Sequence, residues 1–339
     1  MIFLIKVLIA DDSAFIRMRI RSLIESDPNI KVVGVARDGI EAVEKVYALR
    51  PDIVTMDIMM PRMSGIEAVE KIMATCPTPV ILVSSLTSEE VELTLKALEN
   101  GAIDYVSKEQ ISEDTLIKKI YMAIESNAYG AAQNRQLNEY KAVHGAWPPE
   151  SSYAIVCIGI STGGPKALAE VIPNIKPGIA APIVIAQHMP PIFTKSLAQR
   201  LDSISAVSVI EAQHNQVLQP GHVYICPGGM NIAIEKRDVV SLYPKEMFDY
   251  IHAPSVDLLM ETAGKIYGPE ALCIIMTGMG NDGLVGIQKA KKAGSYVIAQ
   301  SASTCTIFGM PKAIIQHGLH DEIVDLENIA SRINALCSG

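Results

Sequence analysis

Apolar residues run in short blocks at 5–10, 31–35, 53–57, 79–84 and 102–106, and the stretches between them are amphipathic. Ile16, Ile20, Leu23 and Ile24 fall at i, i+4, i+7 and i+8, and Val91, Leu95 and Leu98 repeat at helical spacing. Short apolar blocks alternating with helices predict an open, doubly wound parallel sheet over residues 1–127. Residues 128–150 lose the pattern: they are polar and carry Gly130, Gly145, Pro148 and Pro149, which predicts a linker. The only tryptophan, Trp147, falls in it and is expected to dock the linker onto a domain. Residues 151–339 resume an α/β rhythm, with strands expected at 153–158, 182–187, 223–226, 272–277 and 295–299 and helices at 165–172, 254–264, 282–293 and 326–337. Val223–Ala233 and Val239–Tyr243, joined through Glu235-Lys236-Arg237-Asp238, read as an added hairpin. The halves share this rhythm but no internal sequence repeat.

Composition narrows the class. A chain of 339 residues predicts two domains, and 49% apolar against 19% charged residues predicts well-buried cores. The net charge is −8 and no run of Lys or Arg exceeds two, so a nucleic-acid partner is not expected. The six cysteines form no CxxC pair and several lie inside apolar runs, which predicts small buried hydrophobes in a reducing compartment rather than structural zinc. The opening MIFLIKVLIADDS is broken by Lys6 and ends in Asp11-Asp12, so it reads as a buried parallel strand rather than a signal sequence. No segment offers a membrane span, and a cytoplasmic location without membrane insertion is expected.

Candidate chemistry in the first half gathers at strand ends. Asp11 and Asp12 follow the first strand, Asp57 ends the third, Ser84 ends the fourth and Lys108 follows the fifth. In a doubly wound sheet the carboxyl ends of strands collect site residues. Three carboxylates at close range need a cation, and an all-oxygen ligand set suits Mg²⁺. A carboxylate flanked by that ion and a lysine can attack a phosphoryl group, because both cations neutralise the developing charge. For one aspartate, simple helix capping would be the better account. Five residues of suitable type at the strand ends favour a site.

This set resembles the receiver domain of bacterial response regulators across residues 4–127. The resemblance implies that Asp57 is the phosphoacceptor. It implies that Asp11, Asp12, Asp57 and the Met59 carbonyl hold Mg²⁺, and that Ser84 and Lys108 contact the phosphoryl group. Tyr105 takes the position of the switch aromatic. Glu109 stands where receivers usually carry proline after the lysine, which disfavours a cis peptide there.

In the second half, CIGISTGGPKAL carries an apolar run into a glycine-dense turn before a helix. Ser161 in it is either a nucleophile on a strand-to-helix turn or a bystander in a phosphate-cradling loop. Against a dinucleotide loop, Ser161 replaces the middle glycine of G-x-G-x-x-G, and the next strand ends in Gln187-His188 rather than an acid. The G-x-S-x-G elbow is matched. A nucleophilic serine needs a base and the base an orienting acid. Of seven histidines, His188 ends the next predicted strand and so would lie near Ser161 if those strands are neighbours; His252 is the remaining candidate. Asp282, among Gly278, Gly280 and Gly283 after a long apolar run, is either a helix cap or the acid, and taken alone these are not separated.

GISTGGP, QHMP, HAPSVD and TGMGNDG, in this order behind a receiver, resemble the bacterial chemotaxis protein-glutamate methylesterase (CheB) family. The resemblance spans essentially the whole chain. It implies a flavodoxin-like receiver, a linker, and a Rossmann-like methylesterase domain over 151–339. Ser161 would be the nucleophile, His188 the base and Asp282 its orienting partner, with Thr162 and the Met279 amide at the reacting carbonyl. His252 and Asp257 would have a site-lining or structural role. The implied activity is hydrolysis of glutamate methyl esters, with deamidation of glutamines, on methyl-accepting chemotaxis receptors, without a cofactor for the hydrolysis. The receiver, phosphorylated by a chemotaxis histidine kinase, would uncover the site.

Overall fold

The computed structural model describes residues 4–85, 87–109, 111–132 and 153–338. The chain divides into two compact units, Met1–Gln133 and Asn134–Gly339. His144 and Trp147 lie outside the described residues, and so does the expected docking of the linker.

The first unit holds five strands, β1 (Ile5–Ala10), β2 (Ile30–Ala36), β3 (Ile53–Asp57), β4 (Val80–Ser84) and β5 (Asp104–Ser107), in the order 2-1-3-4-5, all parallel. Helices α1 (Ala14–Ile24), α2 (Gly39–Leu49), α3 (Gly65–Thr75), α4 (Ser88–Glu99) and α5 (Glu113–Ala132) connect and follow them. The two-residue period of the strands divides β1 between two cores. Leu8 and Ala10 pack with α2 and α3, while Ile5, Val7 and Ile9 pack with α1 and α5. Both faces are covered, so the strands read as continuous apolar runs. α5 continues to Ala132, past the expected end of the domain at 127; the alanines of SNAYGAA favour helix despite Gly130. α1, α2, α3 and α4 each open on a side-chain cap, from Ser13, Asp38, Ser64 and Thr87.

The second unit is built on a seven-stranded parallel sheet. Its strands are β6 (Ile155–Ile160), β7 (Ile183–Gln187), β8 (Ser208–Glu211), β10 (His222–Ile225), β13 (Ala271–Ile275), β14 (Tyr296–Gln300) and β15 (Glu322–Val324). β9 (Gln216–Val217), β11 (Met230–Lys236) and β12 (Val239–Pro244) form a separate antiparallel sheet. Helices α6 (Gly164–Val171), α7 (Pro191–Ile204), α8 (Val256–Tyr267), α9 (Leu284–Lys292), α10 (Met310–Gln316) and α11 (Leu326–Leu336) surround the main sheet. The strand order is 15-14-13-6-7-10-8, so the winding reverses at β6, between β13 and β7.

The hairpin is present, with a correction. Its first arm begins at Met230, because Pro227-Gly228-Gly229 ends the preceding run; His222–Ile225 instead joins the main sheet beside β7. β8, β9 and β15 escape sequence reading because they are two to four residues long. Among the described residues no helix is long and apolar enough to cross a membrane.

Candidate active site and acidic receiver site

Each sheet places side chains at its switch point, where loops from adjacent strands diverge and leave a crevice. In the second unit, β6 is flanked by β7 and β13 in register, Ile160 opposite Gln187 and Gly159 opposite Ile275. The first residue beyond β6 is Ser161, the first beyond β7 is His188, and the loop after β13 carries Asp282.

These three form a continuous relay. Ser161 Oγ lies 3.1 Å from His188 Nδ1, and His188 Nε2 lies 2.7 Å from Asp282 Oδ2. Asp282 also accepts the amides of Val256 at 2.9 Å, Asp257 at 3.0 Å and Gly283 at 3.0 Å. Burial alone would raise the Asp282 carboxyl, but the His188 hydrogen bond and charge and the Val256 and Asp257 amides outweigh it and hold it below its ordinary value. An ionised Asp282 accepts only, so the imidazole proton sits on Nε2 and Nδ1 is left to accept from the serine hydroxyl. The His252 ring stacks on His188, centroids 4.3 Å apart and planes at 21°.

The turn that carries the serine is held from below. Ser161 N donates to Thr277 O at 3.0 Å, and Gly164 N donates to Ser161 O at 2.9 Å. Gln187, buried at the end of β7, donates through Nε2 to Ser161 O and His188 O. Thr277 donates its hydroxyl to Thr162 O and Ile307 O. Gly278 closes the arrangement: a Cβ there would fall 2.7 Å from Ser161 Cβ and 2.5 Å from Met310 Sδ. The Met279 amide beyond it makes no backbone hydrogen bond among the described residues. Gln187 and Thr277 were missed by sequence reasoning; the available signal was a polar residue closing an otherwise apolar run.

In the first unit, carboxylate oxygens of Asp11, Asp12 and Asp57 lie within 4.8 Å of one another. Lys108 Nζ is 2.8 Å from Asp57 Oδ1 and 3.4 Å from Asp11 Oδ2. Asp11 Oδ2 is buried and accepts no hydrogen bond. Burial, opposed by Lys108, pushes the Asp57 carboxyl up to about 6 and raises Asp11 as well. Three carboxylates at close range, two of them carrying disfavoured charges, and an all-oxygen donor set fit Mg²⁺. Met59, whose carbonyl the resemblance adds, is half exposed in the loop after β3.

The neighbouring residues are placed less uniformly. Ser84 lies at the end of β4, and its carbonyl accepts Lys108 N at 2.8 Å. Its buried hydroxyl reaches Thr94 Oγ1 at 3.1 Å; since the Thr94 proton goes to Glu90 O, Ser84 is the donor. In this arrangement its proton is directed at Thr94 and not into the carboxylate cluster. Tyr105 sits half-buried against the α3–α4 side of the core, with Lys119 Nζ 5.9 Å from its ring centroid. After Lys108, Ser107 Oγ donates to the Glu109 carboxylate, and Arg19 donates to Lys108 O at 3.2 Å and Ile111 O at 3.1 Å. The one cis peptide among the described residues is Ala253-Pro254, so the bond preceding Glu109 is trans.

Comparison with known proteins accords with both halves. Residues 7–121 match the response regulator receiver domain family and residues 156–333 the CheB methylesterase family. A protein-glutamate methylesterase/protein-glutamine glutaminase of Lawsonia intracellularis is 40% identical over 97% of this chain and 98% of its own. The protein of the same name from Thermotoga maritima is 41% identical, covering 97% of each chain. The crystal structure of the Thermotoga maritima CheB methylesterase catalytic domain is 42% identical and superposes with a TM-score of 0.52, covering 55% of this chain and 99% of that one. By sequence along its whole length and by the fold of its second unit, the chain belongs to the CheB methylesterase family, with a response regulator receiver domain ahead of the methylesterase domain.

Proposed function

We propose that this chain is a phosphorylation-activated serine hydrolase that demethylates glutamate methyl esters, and deamidates glutamines, on methyl-accepting chemotaxis receptors. Residues 4–127 are the receiver, 128–150 the linker and 151–339 the catalytic domain. The observation that carries the reading is the unbroken Ser161–His188–Asp282 relay at the reversal point of the second sheet.

Ser161 Oγ attacks the side-chain carbonyl carbon of the glutamyl methyl ester while its proton passes to His188 Nδ1. The imidazolium is stabilised through Nε2 by Asp282, whose charge is fixed by its amide donors. The carbonyl oxygen becomes an oxyanion, and the Met279 amide, with Thr162 at the same rim, is the donor set for it. Collapse breaks the ester C–O bond; His188 returns the proton to methoxide, and methanol leaves. Water, deprotonated by His188, then hydrolyses the acyl-enzyme to glutamate and restores Ser161. A glutamine follows the same path with ammonia as the leaving group.

Control resides in the receiver. Asp57 accepts a phosphoryl group from a chemotaxis histidine kinase, with Lys108 and Ser84 meeting its oxygens and Tyr105 responding to the change. Asp11, Asp12, Asp57 and the Met59 carbonyl would hold Mg²⁺, and a bound ion would supply positive charge beside the phosphoryl oxygens. Hydrolysis itself takes no cofactor.

The test is methanol release from methylated chemoreceptor membranes by wild type and Ser161→Ala, each with and without Mg²⁺ and a small phosphodonor. Release that rises with phosphodonor and vanishes in Ser161→Ala is expected. Serine-dependent release indifferent to phosphodonor would remove the control, and no release from folded wild type would remove the esterase.

A further inference from the structure

Asp257 is the second residue of α8 and hydrogen-bonds to neither Ser161 nor His188, yet it is tied to the relay through two helix ends. α8 and α9 pack at very close range. A Cβ on Gly264 would fall 2.5 Å from Ala290 Cα, and one on Gly286 would fall 2.2 Å from Asp257 O. The first turns of both helices therefore meet at one point, each presenting amides with no acceptor inside its own helix.

Each helix end is served by the other's carboxylate. Asp282, just ahead of α9, accepts Val256 N at 2.9 Å and Asp257 N at 3.0 Å from the start of α8. Asp257, at the start of α8, accepts Gly283 N at 3.0 Å and Gly286 N at 2.7 Å from the start of α9. Asp282 Oδ2 is the oxygen shared by Val256 N and His188 Nε2. The position of that oxygen thus depends on where the 282–286 turn sits, and Asp257 grips the turn at two amides. Asn231 steadies the other side, accepting Ser255 N at 2.9 Å from β11.

We infer that Asp257 is a positioning residue for ester hydrolysis: through the Gly283 and Gly286 amides it fixes the turn that carries Asp282, and so the aim of Asp282 at His188. Burial and the nearness of Asp282 push the Asp257 carboxyl above its ordinary value, so this carboxyl is held at the site by its amide contacts and not by a favourable charge environment. The inference rests on the esterase function proposed above. It distinguishes Asp257 from a cap that serves α9 alone, since a cap would affect folding but not turnover by folded molecules.

The experiment compares full-length wild type, Asp257→Ala and Asp257→Asn. Active sites are counted by complete labelling of Ser161 with a fluorophosphonate, and the labelling rate is recorded. Methanol release then gives kcat per titrated site and KM. For Asp257→Ala, kcat per site and the labelling rate are expected to fall about 100-fold with KM unchanged, the scale of a small misplacement in the relay. Asp257→Asn keeps an acceptor for both amides and is expected to recover most of the loss. Should Asp257→Ala not accumulate as folded protein, Asp257→Ser, which offers a shorter acceptor, is compared with Asp257→Asn in the same way. Wild-type kcat and labelling rate per site in the Ala or Ser variant would overturn the positioning role. If wild type labels but releases no methanol, the receptor-esterase reading fails, and the labelling rates alone still decide whether Asp257 aims the relay.

Discussion

Asp57 carries a charge that the fold disfavours, and the size of that cost sets a measurable stability change. Its carboxyl is 2% exposed and pushed from an ordinary 3.8 to about 6, mainly by burial, with Lys108 opposing. A raised carboxyl binds more protons folded than unfolded, so its contribution to stability falls as pH rises from about 3.8 to about 6 and stays low above that. The difference of about 2.2 pKa units corresponds to roughly 3 kcal/mol at pH 7.5. Asp57→Asn mimics the protonated carboxyl. In metal-free buffer it is expected to stabilise the receiver by about 3 kcal/mol at pH 7.5 and by about 1 kcal/mol at pH 4.5. Hydrogen exchange of the β1 and β3 amides, deep in the receiver sheet, reads that stability within the full chain. Mg²⁺ is expected to narrow the gap between wild type and variant at pH 7.5, since the ion neutralises the charge that the substitution removes. Equal or lower protection in Asp57→Asn at pH 7.5, or a gain that does not shrink toward pH 4.5, would refute this account of the buried carboxylates.

Asp282→Asn places an amide where His188 Nε2 needs an acceptor; kcat for methanol release is expected to fall by about 10³–10⁴ with KM little changed. Gly278→Ala puts a methyl group 2.7 Å from Ser161 Cβ, and a thermal melt is expected to show about 1–3 kcal/mol lost along with most of the activity. Arg19→Ala removes the donors that hold the Lys108 and Ile111 carbonyls. It is expected to cost the receiver about 1–2 kcal/mol and to slow labelling of Asp57 by a small phosphodonor, read as acyl phosphate formed over time, while Mg²⁺ affinity holds.

Much of this was legible along the chain. Strands buried on both faces must be continuous apolar runs, so β1, β3, β6 and β13 are readable within a residue or two. Site residues at strand ends are likewise readable, because Asp57 is the charged residue at the end of β3, and Ser161 and His188 are polar residues just past the apolar runs of β6 and β7. The hairpin arm was misjudged because apolar content continues across Pro227-Gly228-Gly229, while the backbone there turns from one sheet to another. Which strands are neighbours is a different kind of fact. That β6 lies between β7 and β13, so that Ser161, His188 and the loop carrying Asp282 meet at one end of the sheet, depends on chain winding that no local pattern encodes. The same holds for the orientation of the His188 ring, for the turn of the Ser84 hydroxyl toward Thr94, and for the exchange of carboxylates between α8 and α9. Local sequence sets period, caps and the residue types at each strand end, since those follow from dihedrals and burial of neighbouring residues. Pairing of groups 94 positions apart, as in His188 and Asp282, arises only when the sheet closes and the helices pack on it.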